Sequence, residues 1–130
     1  MDFDYTVTTA KPFDDAVAAV EARSKANGFG VLHVHDVKAT LAAKGFDREP
    51  LKIVEICNPK FASDALDRDI RTALMLPCPI VVYVQGGTTV ISALRPAVIK
   101  DFYPQAGLEE VAAAVDAVVR RIVDEAKELC

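Results

Sequence analysis

The chain lacks any apolar run long enough to cross a bilayer: its densest stretch, Ile80 to Val84, is far short of the ~20 residues a helical span needs. No membrane partner is expected. It also lacks a basic excess, since 15 Lys and Arg against 19 Asp and Glu leave a formal charge of −4. The two signs are interleaved along the chain, with no cationic stripe of the kind a phosphate backbone requires. Nucleic acid is therefore not an expected partner. Cysteine is scarce and odd in number, at Cys57, Cys78 and Cys130. That count argues against a secreted disulfide framework and for free thiols. The opening Met1-Asp2-Phe3-Asp4 has neither the charged n-region nor the apolar h-region of a signal peptide, so a cytoplasmic location is expected.

Familiar catalytic signatures are missing as well. There is no CxxC, HExxH or GK[ST] motif, and Gly28-Phe29-Gly30 lacks the third glycine and the strand-then-helix context of a dinucleotide fingerprint. Ser24, Ser63 and Ser92 have no nucleophile-elbow setting. Lys38 and Lys52 read as solvated charges. These absences give no positive sign of nucleotide binding, and the cofactor is unknown from the sequence.

What is present is periodicity. The apolar share is 52% of 130 residues, much of it alanine and valine laid out in faces, with enough apolar surface to cover a core and a subunit interface. A single domain spanning 1–130 and a homodimer are expected. Phe3 to Thr9 alternates as a strand with one wet face. Pro12 suits a first helical position, and Phe13, Ala16, Val17 and Val20 fall at helical spacing until Asn27-Gly28. Phe29 to His35 alternates again, with Leu32 and Val34 expected on one face and Val31, His33 and His35 on the other. Asp36 is an N-cap for a short helix through Lys44, closed by Gly45. Leu51 to Ile56 reads as a central strand running into Cys57-Asn58-Pro59, where Asn58 and Pro59 cap and open a third helix to about Asp69.

A loop is expected to reach Leu76-Pro77-Cys78-Pro79, and Ile80 to Gln85 then forms a strand. Gly86-Gly87 marks a hairpin to Thr88–Leu94, because tight two-residue turns need positive φ. Pro96 to Gln105 reads as loop. Leu108 to Ala126 carries a broad apolar stripe of a long helix, with Glu109 and Glu110 at its favourable end and Glu125 and Glu128 opposing the dipole near the other. The expected fold class is α+β: a mainly antiparallel sheet with helices packed on one face, in the order β-α-β-(α)-β-(α)-β-β-α.

Four segments in series, Asn27-Gly28-Phe29-Gly30-Val31-Leu32, Asp36-Val37-Lys38-Ala39-Thr40-Leu41, Ile56-Cys57-Asn58-Pro59 and Leu76-Pro77-Cys78, resemble the domain-of-unknown-function 302 family over nearly the whole chain. The resemblance implies a fold grouped with the TATA-binding-protein-like domains and homodimeric association, with no biochemical function assigned. It does not imply DNA binding, because the cationic saddle and aromatic wedges of a TATA-binding protein are missing. Pro79 stands where the family has a polar residue, and His33 and His35 lie outside the pattern. Any site built on those positions is particular to this chain.

Cys57 is the leading site candidate, since a sulfur beside the first turn of a helix is near free N–H groups that stabilise a thiolate. Antiparallel pairing brings Cys78 to the same end of the sheet. The bland alternative is that both are small residues filling a tight strand end. Cys130 reads as a solvated terminal thiol. His33 and His35, two apart on a strand, are weaker metal candidates, with Glu55 or Asp36 to complete a site. Two functional readings follow. One is a dimeric binding module for a small-molecule or sulfur-containing ligand at Cys57, Asn58, Pro59, Pro77 and Cys78. The other is a thiol-based redox or sulfur-carrier protein in which Cys57 is the nucleophile and Cys78 its resolving partner, which requires a lowered Cys57 pKa.

Overall fold

The computed structural model describes residues 3–128. Cys130, read from sequence as a solvated thiol, lies outside them. Five strands, β1 (Asp4–Thr9), β2 (Gly30–Asp36), β3 (Leu51–Cys57), β4 (Cys78–Gln85) and β5 (Thr88–Leu94), form one antiparallel sheet in the order β1-β5-β4-β3-β2. Alternation along each strand sends one set of side chains to each face. On one face Val54, Ile56, Ile80, Val82 and Ile91 are completely buried, each worth ~1.5–3 kcal/mol of apolar transfer.

That face is covered by α1 (Phe13–Ala26) and α5 (Glu109–Lys127), which also pack on each other. Their sequences explain the placement: α1 buries Ala16, Val17, Val20 and Ser24, and α5 buries Val115, Val119, Ile122, Val123 and Ala126, both at helical spacing. A partly buried ion pair anchors α5 to the end of β5. Arg95 donates from Nε and Nη2 to the Asp116 carboxylate, both at 3.2 Å.

Short helices occupy the connections between the neighbouring antiparallel strands β2, β3 and β4. Asp36 caps α2 (Val37–Ala42) by accepting from the Ala39 N–H at 2.9 Å. Asn58 caps α3 (Pro59–Arg68), with Pro59 at its first position. Gly86 and Gly87 both take positive φ in the β4–β5 turn, as the hairpin demands.

Four local expectations need correction. Pro12 sits one position before α1, as its N-cap. The register of β2 slips between Val31 and His33, so Leu32 is squeezed outward to 60% exposure. Val31 thereby joins Val34 on the core side, leaving His33 and His35 opposite. The stretch before Leu76 is a 3-10 helix, Ile70–Met75, started by Asp69 accepting from the Arg71 N–H at 2.9 Å. Finally, Pro96–Gln105 is not merely loop: a 3-10 turn, Pro96–Val98, leads into α4 (Ile99–Phe102). Pro96 supplies a preset φ, and Val98 and Ile99 are buried.

The alternate residues of each strand point to the opposite face of the sheet, where Val90 is buried and Val81, Tyr83, Leu51 and Ile53 are half-buried. Cross-strand pairing aligns Thr6, Ser92, Val81, Ile53 and His35 in one row, and Thr8, Val90, Tyr83 and Leu51 in the next.

Candidate functional site

The site grows from the β3–β4 pairing. Ile56 stands opposite Cys78, and Cys57 follows as the last residue of β3, opposite Gly30. The two cysteines therefore come to the same end of the sheet, as antiparallel geometry requires. Asn58 then turns the chain into α3. Its Oδ1 accepts from the N–H groups of Lys60 at 3.0 Å and Phe61 at 3.2 Å. Its Nδ2 donates to the Gly28 carbonyl at 3.0 Å, tying α3 to the start of β2.

Between these strand ends and the helices lies a cavity of about 40 Å³. That exceeds the ~10–15 Å³ needed for one water and is far below the ~300 Å³ of a typical ligand pocket. Cys57, Asn58 and Cys78 line it, together with Phe29, Phe61 and Leu76 at one side and Leu108, Ala112 and Val115 at the other. The Phe29 and Phe61 rings are tilted by 38° with centroids 6.1 Å apart, within the range of favourable aromatic pairs. Pro59 and Pro77 adjoin the cavity in the chain without lining it.

The walls are apolar, and this decides the state of the thiols. Burial pushes the Cys57 thiol up. Burial, with a smaller contribution from neighbouring Cys57, pushes Cys78 up to about 11. The lowered Cys57 pKa expected beside a helix start is therefore reversed. The physical reason is twofold: desolvation penalises the thiolate, and the Asn58 side chain already occupies two of the N–H groups that would have stabilised it.

The histidines form a separate group on the outer sheet face. Their rings meet edge to face at 4.3 Å, and His35 Nε2 lies 3.1 Å from Glu55 Oε1. Asp36, the other proposed partner, is engaged as the α2 cap. Among the described residues no group of three or more His, Cys, Asp and Glu is arranged to hold a metal ion. Lys38 donates to the Arg48 carbonyl, and Lys52 lies 6.0 Å from the Phe13 ring centroid. Neither is placed at the cavity.

A family model described as "Domain of unknown function DUF302" matches residues 5–126. The chain belongs to the DUF302 family. A crystal structure of an uncharacterized conserved DUF302 protein from Bacillus stearothermophilus is similar to it at 31% identity, covering 97% of this chain and 99% of that one, with a TM-score of 0.91. No curated protein matches the chain. Within this DUF302 domain, the cavity residues contributed by α5 and by Phe29 carried no site signal in the sequence. Leu108, Ala112 and Val115 read there only as helix stripe, because an apolar pocket wall and an apolar core face have the same residue types. No described helix is long and apolar enough to cross a membrane.

Proposed function

We propose that this chain is a homodimeric, non-catalytic binding domain whose cavity at Cys57, Asn58 and Cys78 holds a small apolar molecule. Pro59 and Pro77 set the strand and helix ends that frame it. One observation carries the reading: the cavity offers no free charge or nucleophile. Its thiols are pushed toward the protonated form, and the Asn58 amide is spent on Lys60, Phe61 and Gly28. Shape and dispersion are then the means of recognition, and sulfur-containing apolar ligands suit a wall with two soft thiols. The volume limits the occupant to a compact one.

The rival thiol-redox or sulfur-carrier reading needs a thiolate at neutral pH, and the raised Cys57 pKa weighs against it. A cytoplasmic location belongs to the same proposal and draws support from Cys57 and Cys78 being free thiols.

The test is thermal unfolding combined with methyl NMR in the presence of xenon and of dimethyl sulfide. Binding to the native state alone must raise Tm, with shifts centred on Ile56, Ala112 and Val115. Filling the cavity through Ala112→Leu should abolish both responses. Absence of any shift with either probe in the wild-type protein would remove this reading.

A further inference from the structure

The Ile70–Met75 helix faces the wrong way for its composition. Its branched aliphatic side chains, Ile70 and Leu74, are 72% and 82% exposed. The residue it buries completely is Thr72. The Thr72 Oγ1 is closed off from solvent and has no hydrogen-bond partner among the described residues. A buried hydroxyl left unpaired is a net cost, and exposed aliphatic groups do nothing to offset the entropy of ordering the chain. Segments with so little apolar anchorage are the ones that open locally while the rest of a fold stays closed.

Two contacts hold this helix down. Met75 packs against the small cluster of Ala65, Ile99 and Leu108. Arg71 forms a bidentate pair with Asp69, through Nε at 3.0 Å and Nη2 at 2.6 Å. Its guanidinium also lies 4.9 Å from the Tyr103 ring centroid, within reach of a cation–π contact. The Asp69 pair is local and fixes the guanidinium, whereas the stack on Tyr103 crosses to the segment that follows α4.

Both contacts bear on the cavity. Ala65, Ile99 and Leu108 all line it, and Met75 packs behind them. The helix also joins two of the walls, α3 on one side and Leu76 and Cys78 on the other. Lifting the helix withdraws Met75 from the back of the wall and lets the Thr72 hydroxyl reach water. Ile70 and Leu74, already in solvent, lose little by the movement.

We propose that the Ile70–Met75 helix is a hinged flap that admits compact molecules to the cavity beside Cys78, latched by Arg71 on Tyr103. Its role in admitting a ligand rests on the binding reading above; the opening itself does not.

The experiment is single-hit pulse labelling of the full chain with methyl methanethiosulfonate, a reagent that adds only S–CH3. Labelling at Cys78 is followed by peptide mass spectrometry over a range of urea below the unfolding transition. No cavity ligand is used, so failure of the flap and failure of the binding reading are separate results. Wild-type Cys78 is expected to label more slowly than in the unfolded chain, at a rate unchanged by low urea, which is the mark of a local opening. Thr72→Val, which puts a methyl group of similar size in place of the unpaired hydroxyl, should slow labelling by ~10-fold. Arg71→Ala, on an exposed side chain, should speed it by ~3-fold. A Cys78 rate that climbs with urea as global unfolding does, or that equals the rate in the unfolded chain, would overturn the flap, as would indifference to T72V. A response to T72V without one to R71A would overturn the latch.

Discussion

Cys78 shows how one side chain reports on its surroundings. Its folded pKa of about 11 against an ordinary value of 9.0 means that the native state holds the proton more tightly than the unfolded chain does. Stability from this group is thus fully present below about pH 9 and is lost as pH rises toward 11. Two pKa units correspond to ~2.7 kcal/mol at most. Urea unfolding across this range should show a fall in stability on that order that Cys78→Ala lacks, whatever that variant loses at neutral pH; equal slopes for both proteins would show that Cys78 titrates normally. The presence of both thiols at one strand end was legible from antiparallel pairing. Their protonation was not, because it depends on walls supplied by Phe29, α3 and α5, which are distant in sequence.

At the level of elements, α3 depends on one residue. Asn58 closes two N–H groups of the first turn and also reaches back to Gly28, so it couples a helix start to an edge strand. Removing the side chain in Asn58→Ala should cost ~1–2 kcal/mol for the cap, plus ~1 kcal/mol for the Gly28 bond. Asn58→Asp keeps the cap but loses the Nδ2 donor, so its stability by urea titration should fall between wild type and N58A. If N58D were as unstable as N58A, the cap would not be the main contribution. The N-cap signals at Asp36 and Asn58 could be seen in sequence because capping is local chemistry over three residues. The bulge in β2 could not, since only the pairing with β3 reveals that Val31 and Val34 must share the buried face. Glu125 is similar: unfavourable for its own helix dipole, it accepts from Asn27 Nδ2 at 3.0 Å at the end of α1, a contact between remote segments.

Across the whole molecule, the sheet order predicts a gradient of stability. β4 is bonded on both sides and contributes Ile80 and Val82 to the core, while β1 and β2 are edges. Amide exchange by NMR should therefore be slowest in β4 and its neighbours and faster in the outward-pointing amides of β1 and β2. Uniform protection of all five strands would instead point to strands of another chain pairing at the edges.

By itself the amino-acid sequence determined the strand and helix order, the hairpin at Gly86-Gly87, the caps of α2 and α3, and the placement of Cys57 and Cys78 at the same end of the sheet. Each follows from local propensity, periodicity or antiparallel connectivity. Tertiary structure alone decided the bulge in β2, the small helices at Ile70–Met75 and Ile99–Phe102, the apolar cavity and the direction of the thiol pKa values. Those depend on which remote side chains exclude water from a given point. A residue's identity does not carry that information; its neighbours in space do.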